Sequence, residues 1–303
     1  MPEYDEQTYF YSNDELPDTV TPKRIQFKVD IASIIDLMGK SLYSRLETPI
    51  RGLIQNGHDA VLRRRQIDIS FKGRIHVQQI PETGSIRFSD DGIGLTIDEA
   101  EKYLGTLGLG ITGFMKGRGP DRTRPDPSEE DSNLIGEFGV GLFSAFMLAE
   151  RLIVESRSPN SSSGVRWEAG PESEIEISKI ERSEIGTSVE LKLQEDYLDL
   201  CRDEEMIEES IKQFADFISV PIFLNEAKAR TNLINAAWFD ETPDFENLEM
   251  ELASYFEEQP LDVIPIRCEK PISIAGAIYV SPQRTPGFSD DAVVAVTIRR
   301  MVI

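Results

Sequence analysis

Three separated groups of residues have types and spacings that can do chemistry together. In RGLIQNGHDAV, Asn56 and Asp59 lie about one helical turn apart, so they share a stripe with position 52. An Asn amide oxygen suits Mg²⁺, which keeps several waters and takes few protein ligands alongside phosphates. In Ser89-Asp90-Asp91-Gly92-Ile93-Gly94, a carboxylate at the end of a strand pattern precedes two glycines, which let backbone approach a ligand closely. Fixed there, Asp90 can accept a hydrogen bond from an amino group such as that of adenine. In Gly136-Glu137-Phe138-Gly139-Val140-Gly141, glycine-exposed N–H groups precede a helix whose positive end attracts phosphates. Together the three groups describe a pocket for ATP.

Each group has a plainer reading when taken alone. Asn56 and Asp59 also suit a solvated helix face, Asp91-Gly92 a tight turn, and GEFGVG a closely packed hinge. The glycine run is not a Walker loop, because no Gly-Lys-Ser or Gly-Lys-Thr follows. It also lacks the strand–turn–helix setting of a Rossmann fingerprint. A metal cluster at Asp90 and Asp91 is disfavoured, since no His or further carboxylate group accompanies them.

The elements that must position these residues follow from periodicity. IQFKVD alternates as a strand and passes into helical spacing at Ile34, Ile35, Leu37 and Met38. A second helix is expected from Thr48 or Pro49 to about Arg65, burying Leu53, Ile54, Ala60 and Val61, with Arg63 to Arg65 at its negative end. RIHVQQI and SIRFS, separated by PETG, form a hairpin ending at Asp90. Glycines at 105, 108, 110, 113, 117 and 119, followed by DRTRPDPSEED, mark a lid over 105–135. After Gly141 the pattern is a helix, then strands LIVESR, GVRWEAG, EIEISKI and TSVELKL, then one helix over EDYLDLCRDEEMIEESIKQFADFI, then extended VPIFLN. This mixture predicts an α+β fold with helices layered on a mixed, mainly antiparallel sheet.

The domain reading is an acidic extension at 1–24, a nucleotide-binding domain at 25–228, a linker at 229–237, and an incomplete α/β unit at 238–303. The last strand, VVAVTIRRMVI, reaches the final residue without a turn, which fits a longer protein. With 32 Lys plus Arg against 54 Asp plus Glu, the net charge of −22 argues against nucleic-acid or anionic-membrane partners. No apolar run approaches the ~20 residues of a membrane helix, and the first residues are acidic rather than basic, so a cytoplasmic location is expected. Cys201 and Cys268, far apart in sequence, read as two reduced thiols.

The order of helix Asn, strand-end Asp-x-Gly-x-Gly, lid and glycine loop resembles the ATPases that include gyrase, histidine kinases, mismatch-repair proteins and the heat-shock protein 90 chaperones. The likeness is closer to heat-shock protein 90, especially its bacterial form, through FKVDIASIIDLMGKSLYS, LIGEFGVGLFSAFMLAERLIV and IGTSVELKLQEDYLD on to FISVPIFL. AIYVSPQRTPGF and TIRRMVI resemble the opening of that family's middle domain, so the likeness covers roughly 25–303. The resemblance implies a Bergerat-type α/β sandwich that holds ATP or ADP with Mg²⁺. It implies that Asn56 coordinates Mg²⁺ with Asp59 nearby, that Asp90 bonds the adenine amine, and that Gly92 and Gly94 line the base pocket. Thr187 would support adenine through water, and Gly136, Phe138, Gly139, Val140 and Gly141 would wrap the phosphates. Client proteins, co-chaperones, nucleotide-driven lid closure and a homodimeric full-length protein, with this fragment alone monomeric, are implied as well.

Departures from the family pattern bear on catalysis. Gly52 stands where the family carries a glutamate that activates the attacking water. Glu47 is no substitute, lying about 140° around the helix from position 52. Gly57 is a second unexpected helix glycine, each costing about 1 kcal/mol against alanine, which suggests relaxed constraint or backbone mobility. Leu109 replaces a common lysine, and the family's middle-domain arginine would lie beyond residue 303. The expectation is therefore firm ATP binding with slow or impaired hydrolysis, or a nucleotide-responsive scaffold without ATPase activity.

Overall fold

A computed structural model of the chain describes residues 47–104, 141–170, 175–233, 244–255, 258–268, 274–280, 297–298 and 301–302. The acidic extension, the strand and helix expected before residue 47, the lid, and Gly136, Phe138, Gly139 and Val140 lie outside these residues.

Helix α1 (Glu47–Ile67) has Pro49 in its first turn, where a missing N–H costs nothing, and Arg64 and Arg65 in its last. It buries Ile50, Leu53, Ile54 and Val61, while Ala60, expected among them, is half-buried. Strands β1 (Ile75–Ile80) and β2 (Ser85–Asp90) form the expected hairpin around Pro81–Thr83. They join β3 (Ala149–Arg157), β4 (Gly164–Ala169), β5 (Ile175–Ile180), β6 (Gly186–Leu193) and β7 (Ile222–Leu224) in one seven-stranded sheet. The order is β5-β4-β3-β6-β2-β1-β7, antiparallel throughout except for the parallel β1–β7 pair. This is the α/β sandwich of the Bergerat type.

Register explains why one end of the sheet becomes a site. On the helix-covered face, Ile86, Leu191 and Leu152 form one cross-strand row of β2, β6 and β3, and Phe88, Val189 and Val154 form the next. Burying these rows drives the packing of α1 onto the sheet. The row after that is polar: Asp90, Thr187 and Ser156 stand side by side.

Two expectations on local structure need correction. The helix after Gly141 is short: α2 (Gly141–Ser144) runs into a single tight turn, Ala145–Met147, because Ala149 onward pairs with β6 as strand. The long helix after β6 is broken into a 3₁₀ segment, Glu195–Cys201, and α3 (Glu204–Ala215). Asp203 causes the break, since its side chain accepts from the Glu205 N–H as a helix N-cap.

Residues 231–233, within the stretch expected as linker, are bound to this unit. Asn232, 2 % exposed, accepts from Ile222 N–H and donates to Val220 O, while Leu233 N–H donates to Asp216. Farther on, α4 (Phe245–Tyr255), β8 (Asp262–Cys268) and β9 (Ile274–Val280) gather a small separate core of Leu248, Leu252 and Val263. β8 and β9 form their own two-stranded sheet, as do β10 (Thr297–Ile298) and β11 (Met301–Val302). Cys201 is buried and Cys268 exposed. No helix among the described residues is long and apolar enough to cross a membrane.

Candidate functional site

Asp90 ends β2 under α1, and the chain around it is packed too closely for side chains. A Cβ on Gly57 would come 3.2 Å from Ile75 Cγ1 and 3.4 Å from Asp90 Cβ. Gly57 therefore lets α1 lie directly on the strand that carries Asp90, and close packing replaces the relaxed constraint or mobility expected of it. A Cβ on Gly92 would fall 2.4 Å from the Ala60 carbonyl carbon, where the next residue, Ile93, donates its N–H to Ala60 O at 3.0 Å. Gly94 has φ +63°, and a Cβ there would collide with Arg157 O at 2.0 Å. The two glycines read from the sequence as permitting close approach do so first toward helix and sheet.

The turn after Asp90 is clamped from outside. Arg74 N–H donates to Asp91 Oδ1 at 2.7 Å, and Arg64 Nη1 donates to Asp91 O at 2.5 Å. The Arg64 guanidinium itself rests 4.0 Å from the centre of the Phe71 ring. With Asp91 so engaged, Asp90 is the carboxylate left facing the helix side. Desolvation is the largest influence on it and pushes its carboxyl up to about 7, reinforced by the charge of Asp91. The Gly92 N–H, 2.9 Å from Oδ1, and the Thr187 backbone N–H pull the other way, as does the charge of Arg182. A desolvated carboxylate with unused acceptor capacity fits a ligand that brings its own N–H donors.

Beside Asp90, Thr187 Oγ1 lies 2.9 Å from the Oγ of Ser156, which is completely buried. Ser156 Oγ also accepts from Leu95 N–H at 2.8 Å, tying the glycine turn to the strand row.

On α1, Asn56 is exposed, whereas Asp59 is 2 % exposed and paired with His58 Nδ1 at 3.2 Å. Gly52 is buried on the same helix. One turn beyond Asp59, burial lowers the Arg63 guanidinium from its ordinary value, and the charges of Glu99, Asp59 and Asp90 partly restore it. Glu99 belongs to a capping box in which Thr96 Oγ1 accepts from Glu99 N–H and the Glu99 carboxylate accepts from Thr96 N–H at 2.8 Å. The half-buried Arg63 thus lies within the field of all three carboxylates.

Asp90, Gly92, Gly94 and Thr187 are brought together, with α1 carrying Asn56 and Asp59 above them. Of the glycine loop only Gly141 is described, as the first residue of α2. Ser156, His58, Arg63 and Arg64 were not singled out as site residues. The alternation of LIVESR does carry a signal for Ser156, a polar residue on the inward phase of a buried strand. The opposite face of the sheet is an open groove of self-compensated charge, with Arg87–Glu190 and Arg166–Glu155 both at 2.6 Å, and Asp90 and Asp91 stand at its edge.

Comparison with known proteins agrees with this geometry. Residues 43–196 match the family described as histidine kinase-, DNA gyrase B- and HSP90-like ATPase. The chain belongs to this family. Within it the chain falls in the heat-shock protein 90 branch. It is 30% identical over 280 residues to "Chaperone protein HtpG" of Chlorobium phaeovibrioides, covering 87% of this chain and 43% of that protein. Against "Chaperone protein HtpG" of Albidiferax ferrireducens it is 34% identical over 218 residues, 68% of this chain and 32% of the relative. "Heat shock protein 75 kDa, mitochondrial" of Bos taurus is 30% identical over 277 residues, 88% of this chain and 38% of the relative. The chain thus spans less than half the length of these heat-shock protein 90 relatives.

Proposed function

We propose that this chain is the nucleotide-binding part of a chaperone of the heat-shock protein 90 type, holding ATP or ADP with Mg²⁺ and coupling the nucleotide to the handling of client proteins in the cytoplasm. The observation that carries this reading is the polar row of Asp90, Thr187 and Ser156 at the end of an apolar sheet face, where Asp90 is half-buried and burial pushes its carboxyl up. Asp90 would accept from the adenine amine, Thr187 would assist through water, and the walls at Gly92 and Gly94 would lie against the base. The phosphates would take the N–H groups of Gly136, Phe138, Gly139, Val140 and Gly141.

Among the described residues no group of three or more His, Cys, Asp or Glu is arranged to hold a metal ion. Mg²⁺ would therefore be held chiefly by phosphate oxygens and water, with Asn56 as its protein ligand and Asp59 nearby. The metal would neutralise phosphate charge. Lid closure by 105–135 would respond to the nucleotide, and co-chaperones and a homodimeric full-length protein would follow the family pattern.

Hydrolysis in this account is slow, because Gly52 supplies no proton acceptor to the attacking water. That same glycine favours a second reading, a nucleotide-responsive scaffold without ATPase activity. A crystal structure with a non-hydrolysable ATP analogue and Mg²⁺ tests the site. The adenine amine is expected within hydrogen-bond distance of Asp90, and a base lodged elsewhere would overturn the assignment. Phosphate release from the full-length protein separates the two readings, since turnover by the Gly52 form excludes the scaffold.

A further inference from the structure

The Ser156 hydroxyl has as many partners as it has hydrogen-bonding sites. It lies 2.8 Å from the Leu95 nitrogen, 3.1 Å from Gly186 O and 2.9 Å from Thr187 Oγ1. A hydroxyl has one proton and two lone pairs. The Leu95 N–H can only donate, so it takes one lone pair. The Gly186 carbonyl can only accept, so it takes the proton. One lone pair is left for Thr187, whose hydroxyl must then be the donor in that contact. With Ser156 at 0 % exposure, water does not supply an alternative partner.

We infer that Ser156 is a positioning residue that fixes Thr187 as a hydrogen-bond acceptor toward the base and so helps select a 6-amino purine over a 6-oxo purine. With its only proton committed to Ser156, Thr187 offers lone pairs to the space beside Asp90. The ionised Asp90 carboxylate, next in the same row, also only accepts. Two adjacent acceptors match the N–H donors of an amino group, directly or through a water that gives one proton to each of them and turns only lone pairs to the base, and oppose a carbonyl oxygen. The alternative polarity, in which Thr187 donates into the pocket, leaves either Gly186 O or the Leu95 N–H without its Ser156 bond.

The inference rests on the adenine-nucleotide reading, and one titration series distinguishes failure of either. ADP and IDP with Mg²⁺ are titrated at pH 8 into the wild-type chain, Ser156→Ala, Ser156→Thr, Thr187→Val and the Ser156→Ala/Thr187→Val double variant, each checked by thermal melting. Ser156→Ala is expected to weaken ADP binding roughly five- to tenfold and narrow the preference for ADP over IDP, in line with loss of one oriented hydrogen bond. Ser156→Thr, which retains the hydroxyl, is expected to stay near wild type. In the Thr187→Val background, Ser156→Ala is expected to have no further effect, because its route to the ligand is already gone. Wild-type-like affinity and preference in Ser156→Ala, or an equal loss with and without Thr187, overturns the inference while wild-type ADP binding stands. Absence of ADP binding by the wild type overturns the nucleotide reading and this inference together. Should Ser156→Ala not fold, Ser156→Cys, close in size with a poorer donor and acceptor, takes its place with the same expected outcomes.

Discussion

Asp90 and Thr187 face each other across the β2–β6 ladder, where the Thr187 backbone N–H favours the charged form of the Asp90 carboxylate against a larger opposing desolvation. The balance pushes the carboxyl up to about 7, far above the ordinary 3.8, so the group proposed to read the base would titrate near neutrality.

Base binding should therefore depend on pH in a defined direction. The ionised carboxylate accepts from an amino group more strongly than the acid, whose proton turns one oxygen into a donor, so affinity is full above the raised pKa and falls as pH drops through it. Adenosine, which has no phosphate to titrate, is expected to bind with constant affinity above about pH 8 and to weaken toward pH 6 by up to tenfold per unit. NMR titrations across that window check this, and a flat profile would show that Asp90 does not accept from the base.

The same shift has a consequence for folding. The folded chain holds the Asp90 proton more tightly than the unfolded chain, so this group favours folding most below about pH 4. That contribution is lost as pH rises toward about 7. Asp90→Asn keeps an acceptor for the Gly92 N–H and removes the charge. It is expected to raise the melting temperature at pH 8 by a few degrees, with little gain at pH 4, while abolishing adenosine binding. Equal melting temperatures at pH 8 would contradict the desolvation argument.

Two glycines near Asp90 should respond differently to alanine. At Gly57 the added methyl presses on the Ile75 side chain at 3.2 Å and touches Asp90 Cβ at 3.4 Å, a crowding that a shift of a few tenths of an ångström relieves and that a helix-propensity gain of about 1 kcal/mol offsets, so the net cost is expected to be far smaller than at Gly92. At Gly92 it meets the Ala60 backbone, and a loss of about 2–4 kcal/mol is expected with loss of nucleotide binding. Urea denaturation of both variants measures the difference, and an equal cost would show that the Gly92–Ala60 contact is not a constraint.

Restoring a carboxylate tests the catalytic deficit. Gly52→Glu in the full-length protein is expected to raise phosphate release roughly 10²-fold or more if a general base is the missing part. Unchanged turnover would place the deficit elsewhere, with Leu109 the next candidate.

Periodicity made α1, the hairpin and the strand sequence legible, because one buried face imposes a regular pattern on each. The strand end before Asp91-Gly92 drew attention to Asp90 in the sequence, and its row partners Thr187 and Ser156 come from β6 and β3. The helix after Gly141 was overread because LFSAFMLAERL suits helix and buried strand alike, and pairing of Ala149 onward with β6 decides it. Gly57 looked like laxity until Ile75 and Asp90 were seen beneath it. Ser156 and Arg64 matter through partners 61 and 27 positions away, Leu95 and Asp91, and no local pattern reports such pairings.

The central claim is that Asp90 gives this chain an adenine-nucleotide site, and calorimetric titration of Mg·ADP into the wild-type and Asp90→Asn chains at pH 8 tests it most directly. The account predicts saturable one-to-one binding by the wild type and none by a folded Asp90→Asn chain. Absence of wild-type binding, or equal binding by both, would contradict it.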